Sequence, residues 1–109
     1  MSRLKGNIAE IKASEYLVSL GFKIITTNYY ARKLGEIDII ATKDDIYHFV
    51  EVKSGTSFEA VYNITPLKIR KILKSVQYYL KVNQLDVAYS IDAIIVQDDD
   101  IEFLENITL

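Results

Sequence analysis

Two short runs near the middle of the chain restrict its fold more than any other feature. Residues 36–42 (EIDIIAT) and 46–53 (IYHFVEVK) are rich in branched and aromatic side chains, and the polar Lys43-Asp44-Asp45 between them suits a hairpin. A hairpin cannot stand alone in water, so the flanking segments must cover it. Residues 4–20 place Ala9, Ala13, Tyr16, Leu17 and Leu20 on one face of a helix, and Gly21 follows where that helix should stop. Residues 22–27 (FKIITT) read as a strand, and 28–35 as a connection or an irregular, twisted extension of it. Residues 54–64 show no sustained periodicity and are expected to form an exposed, mobile loop. Thr65-Pro66 then starts a helix that runs to about Asn83, with Ile69, Ile72, Leu73, Val76 and Leu80 as its buried stripe. A strand at 87–96 and a short edge strand at 101–104 complete the order αβββαβ(β). With 109 residues and half of them apolar, the expectation is one α/β domain over 1–109, a mixed sheet flanked by helices.

The hairpin carries the chemistry. Side chains alternate along a strand, so Glu51 and Lys53 share one face and Val50 and Val52 the other. A register with Thr42 opposite Tyr47 sets Asp38 directly across from Glu51, whereas a slip of one residue parts them. The favoured register also gathers Ile37, Ile39, Val50 and Val52 on one apolar face. Opposed carboxylates repel and call for a positive partner between them, and a hard divalent cation such as Mg²⁺ or Mn²⁺ suits the gap. Lys53 beside them can orient or help deprotonate water, or stabilise a developing pentavalent phosphate, which makes acid, acid-x-lysine a constellation for phosphodiester hydrolysis. Solvated strand ends or a structural ion pair are the plainer alternative. Glu10 sits about 100° around the first helix from Ala9, at the border of the buried face, where it either leans toward Asp38 or points into water.

Composition narrows the field. No cysteine excludes a disulfide framework, a thiolate metal site and a thiol nucleophile, and the single His48 excludes a histidine-rich zinc centre, so any hydrolytic metal must be held mainly by oxygen. By strand parity His48 faces away from Glu51 and is expected to be a packed histidine. The net charge is −2, yet residues 68–81 carry Lys68, Arg70, Lys71, Lys74 and Lys81 with no acid, which leaves −7 on the rest. Lys71, Lys74, Tyr78 and Lys81 lie opposite the apolar stripe of that helix. They are either a strip for nucleic-acid phosphates, with Tyr78 available for stacking, or a solvated basic face. The tyrosine pairs also suit self-association as a homodimer. No apolar run is long enough to span a membrane, and the charge-interrupted N-terminal residues lack the centre of a secretory signal, so a cytoplasmic setting is expected.

Taken together, the run A-E-x-x-A-x-x-Y-L-x-x-x-G from Ala9 to Gly21, Asn28, GEIDIIA at 35–41 and FVEVK at 49–53 resembles the YraN-type family of small bacterial proteins. The likeness continues through Thr65, Lys68, Tyr79-Leu80, the strand around Asp92 and the segment near Asn106, essentially the whole chain in order. It implies a restriction-endonuclease-like fold with an αβββαβ core, the PD-(D/E)xK architecture shared with Holliday-junction resolvases. Position by position, it implies Glu10, Asp38 and Glu51 as metal-binding acids and Lys53 as the motif lysine. The implied activity is that of a Mg²⁺- or Mn²⁺-dependent nuclease acting on DNA, branched or single-stranded. The alternative is a catalytically silent nucleic-acid-binding or protein-interaction module that keeps the fold. Lys68, Lys71, Lys74, Tyr78 and Lys81 are the expected nucleic-acid contacts. The chain departs from the family pattern at Ala9, where glycine is usual, and at Gly55 and Ser90, where arginine is usual.

Overall fold

The computed structural model describes residues 3–108. Helix α1 (Arg3–Ser19) ends as expected at Gly21, whose φ of 94° allows its N–H to return to the Val18 carbonyl and that of Phe22 to return to Leu17. Three antiparallel strands follow, β1 (Lys23–Tyr30), β2 (Glu36–Lys43) and β3 (Ile46–Ser54). A single 3-10 turn at Arg32–Leu34 joins the first two. The hairpin is tighter than the sequence suggests. Its loop is only Asp44-Asp45, both at positive φ (52° and 65°), the twist that two-residue hairpins favour.

Helix α2 (Ser57–Tyr62) then leads to α3 (Pro66–Val82), which carries the chain over to β4 (Tyr89–Gln97), parallel to β3, and β5 (Asp100–Leu104) closes the sheet antiparallel to β4. The sheet order is β1-β2-β3-β4-β5. Ala9, Ala13 and Leu17 of α1 pack on Phe22, Ile39, Ala41, Val50, Ile94 and Val96 on one side. Val76 and Tyr79 of α3 pack on Ile37, Ile40, Phe49 and Ile91 on the other. The result is a mixed α/β sandwich, helix–sheet–helix, compatible with the restriction-endonuclease-like fold implied above.

Two expectations need correction. The segment expected to be a loop contains α2, which buries only Ala60 and so shows no apolar period. Its signal is Thr56-x-x-Glu59, where the Thr56 side chain accepts from the Glu59 N–H at 3.2 Å. Thr65 caps α3 in the same way, accepting from Lys68 N–H at 3.2 Å with Pro66 at the first helical position. Thr65→Ala is expected to lower stability by about 1 kcal/mol in a urea melt.

The second correction concerns β2. Ile37 does not join Ile39, Val50 and Val52, but belongs to the opposite layer, beneath α3. Residues two apart should share a face, so β2 turns over at Asp38. The partner strand supplies the cause. Tyr29 pairs with Ile37 and Thr27 with Ile39, and Asn28 between them adopts a left-handed φ of 53°.

Candidate active site

The β2–β3 ladder follows the favoured register, with Thr42 opposite Tyr47 and Ile39 opposite Val50 as its last pair. The next position along it brings Asp38 to Glu51. Beyond Val50 the next amide that β3 directs toward β2 is that of Val52, and there the Asp38 carboxylate takes the place of a backbone carbonyl. Its Oδ2 accepts from the Val52 N–H at 2.8 Å. Asp38 thus stands where the strand turns over, at the frayed end of the ladder and between the two helical layers.

Glu51 and Lys53 face α3. Lys53 Nζ lies 3.4 Å from Glu51 Oε1, and both side chains are largely covered. They form part of the wall of a cleft of about 260 Å³, whose other lining includes Gly35, Glu36, Lys68, Lys71 and Ser75. Gly35 has a φ of 134°, and a Cβ there would stand 3.3 Å from the Ser75 hydroxyl, so the close approach of this turn to α3 requires glycine.

The electrostatics are those of a crowded acidic site. Burial pushes the Asp38 carboxyl up to about 7. The Glu51 charge adds to that rise, the Val52 amide opposes it, and smaller influences come from Glu10 (raising) and Lys53 (lowering). Glu51 is also raised, chiefly by burial. The neighbouring Lys53 and, more weakly, Lys68 hold it down, and Glu36 pushes it up. Two half-desolvated carboxylates that resist ionising together favour an added cation. One or two carboxylates completed by water and a phosphate fit the coordination habits of Mg²⁺ or Mn²⁺. Among the described residues no three His, Cys, Asp or Glu side chains gather as a metal-holding group. Glu10 therefore acts on Asp38 through its charge. It lines a shallow hollow over β1 with Thr27 and Asn28, on the opposite side of the sheet from Glu51.

Of the residues of α3 expected to contact nucleic acid, Lys68 and Lys71 line the cleft, followed along the helix by Ile72 and Ser75, whereas Lys74, Tyr78 and Lys81 do not line it. Lys74 and Lys81 are exposed, and the Tyr78 hydroxyl is engaged by Arg32 Nε at 2.9 Å. Two cleft residues were not foreseen. Glu36 shares the face of Asp38 by simple alternation and was there to be found in GEID, while Ser75 is a buried hydroxyl whose place depends on the helix packing angle.

His48 is a packed histidine, as its parity implies. It stacks edge-on against Phe22 and meets Asp92 at 2.6 Å between Nδ1 and Oδ2. Asp92, fully buried, also accepts from the Asn106 N–H and from the hydroxyl of Ser90, the residue that stands where the family pattern has arginine.

Fold and site together define an α/β protein of restriction-endonuclease-like plan with an acidic pair and a lysine at the frayed end of its central hairpin. The model described as "Uncharacterised protein family UPF0102" matches residues 9–96. The chain is 56% identical to a UPF0102 protein of Aliarcobacter butzleri (strain RM4018), with all of both chains covered. It is 50% identical to one of Sulfurovum sp. (strain NBC37-1), over all of this chain and 97% of that one. Against a UPF0102 protein of Helicobacter pylori (strain HPAG1) the identity is 46%, over 97% of this chain and 92% of the relative. The chain belongs to the UPF0102 (YraN) family.

Proposed function

We propose that this chain is a Mg²⁺- or Mn²⁺-dependent nuclease that hydrolyses phosphodiester bonds in branched or single-stranded DNA. The observation that carries the reading is the coupling of two partly buried carboxylates, each pushed toward its neutral form, with Lys53 in the wall of a cleft lined by Lys68 and Lys71. Asp38 and Glu51 would hold the metal ion, with Glu10 contributing through water. The bound ion would supply Lewis-acid stabilisation and a more acidic water.

The residues of the chain do the rest. Lys68 and Lys71 bind the phosphate backbone and bring the scissile group against the carboxylate pair. Lys53, kept in place by Glu51, holds the attacking water or the charge that develops on the phosphoryl oxygens. Water adds at phosphorus and gives a proton to solvent, the bond from phosphorus to one bridging oxygen breaks, and that oxygen takes a proton from solvent to leave as a hydroxyl.

The test is incubation with duplex, single-stranded, flap and four-way DNA, with Mg²⁺, with Mn²⁺ and with chelator, beside Lys53→Ala. Metal-dependent cleavage of a branched or single-stranded substrate is expected, reduced about 10²- to 10³-fold by Lys53→Ala. Binding without cleavage in either metal would replace the nuclease with the silent binding module.

A further inference from the structure

Helix α2 is built against the usual economy of burial. It is six residues long and buries one side chain, Ala60, while Phe58 and Tyr62 stand 81% and 79% exposed. Single exposed apolar residues need no explanation, but a contiguous exposed pair of aromatics on a fixed element does. These two, four apart on one helix face, lie with ring centroids 6.4 Å apart and planes only 21° from parallel. Val61 on the same helix is also exposed.

The element that carries the rings is held firmly. Thr56 caps it, the Ser57 hydroxyl bonds to Glu102 on β5, and the Gly55 N–H in front of it bonds to the Val96 carbonyl at 3.1 Å. The helix leads toward the cleft: Tyr62 is two residues from Ile64, which lines it, so their Cα atoms are at most about 7 Å apart, and Phe58 lies one helical turn further back. Lys53 lies five residues before Phe58, and Lys68 six after Tyr62.

We propose that Phe58 and Tyr62 are a stacking platform for unpaired bases of the DNA strand whose phosphates lie along Lys68 and Lys71. This rests on the nucleic-acid reading of the cleft given above and makes it narrower, since only a strand with unpaired nucleotides can lay a base face on the rings. Exposed aromatic rings next to a cationic groove are what sequence-tolerant single-strand binding requires. A second copy of the chain is a poorer occupant. Seating platform on platform would bring Lys68, Arg70, Lys71 and Lys74 of each copy toward the same cations of the other.

The experiment measures binding in chelator, so that no cleavage intervenes. Fluorescent single-stranded DNA, the same strand with a central abasic stretch, and duplex of equal length are titrated with wild type, with Phe58→Ala/Tyr62→Ala and with Phe58→Trp. The wild type should bind the intact strand more tightly than the abasic one. The double alanine variant should lose roughly 5- to 150-fold on the intact strand, little on duplex, and no longer distinguish intact from abasic. Phe58→Trp should retain binding. Both rings are exposed, so the thermal midpoint of the alanine variant should match wild type. Equal affinity of the wild type for intact and abasic strands would overturn the proposal. So would an equal loss on duplex, no DNA binding at all, or a wild-type dimer that the alanine variant converts to monomer in sedimentation. The two readings fail separately. Ring-dependent binding without cleavage in Mn²⁺ would remove the nuclease and keep the platform, whereas cleavage with ring-independent binding would do the reverse.

Discussion

Asp38→Asn is expected to make the metal-free protein more stable at pH 8 while lowering DNA cleavage about 10²-fold or more. The sign follows from the elevated carboxyl. Below about pH 4 Asp38 is protonated in both the folded and the unfolded chain and has no effect. Between pH 4 and 7 the unfolded chain gives up that proton and the folded chain keeps it, so stability falls as pH rises. Above 7 the full cost of an ionised Asp38 is present. A folded value of about 7 against an ordinary 3.8 puts that cost on the order of 4 kcal/mol. Asparagine keeps an oxygen to accept from the Val52 amide and carries no charge. Urea melts at pH 4, 6 and 8 should therefore show the wild type losing stability with rising pH and the variant losing much less, the remaining slope coming from Glu51. Mg²⁺ should restore the wild type, by about 2.7 kcal/mol at a hundred times its dissociation constant, and leave Asp38→Asn almost unmoved. A variant less stable than wild type at pH 8 would instead mark Asp38 as half of a structural ion pair.

The largest loss of stability is expected outside the cleft, in the strand next to β3. Asp92→Ala removes a fully buried carboxylate that joins β3 through His48, the start of its own strand through Ser90 two residues earlier, and the C-terminal segment through the Asn106 amide. The buried His48 ring would be left without its partner, and the Ser90 hydroxyl and Asn106 amide, nearer the surface, would lose theirs. Breaking such a buried network costs about 3–5 kcal/mol, a large part of the stability of a domain this size. The check is the urea midpoint, read beside His48→Ala. If His48 is the main partner, the two variants should be strongly non-additive in a double-mutant cycle. Equal and additive small losses would show that the cluster is tolerated rather than needed.

Much of this was legible in the residues because it depends on local pattern. Branched and alternating residues marked the hairpin, and the apolar set of Ile39, Val50 and Val52 asked for a register of the parity found, though not for the pairing of Thr42 with Tyr47 itself, and Ile37, counted in that set, lies in the other layer. Thr65-Pro66 and Gly21 marked helix ends through their own backbone chemistry. The turnover of β2 was not legible, because it originates in the left-handed backbone of Asn28 on the neighbouring strand, and strict alternation assumes that no such residue intervenes. The helical wheel separated the exposed lysines of α3 from the packed Ile72 and Val76, but it gives angles around one axis only. Which of those lysines border the cleft depends on how α3 lies across the sheet, and Lys68 and Lys71 are the two that do. Helix α2 escaped periodicity altogether because most of its large side chains serve the outside.

Glu10 approaches Asp38 from the α1 layer, while Glu51 and Lys53 face the α3 layer, and Asp38 lies between them where β2 rolls over. Asp38, Glu51 and Lys53 belong to one hairpin, and only Glu10 comes from a separate piece of polypeptide. The burial that lifts both carboxyls is complete only when the helical layers have closed on the sheet. In a nascent or half-folded copy these acids are wet and ionise as ordinary carboxylates do, so the pair acquires its reluctance to carry two charges only once the last layer has docked.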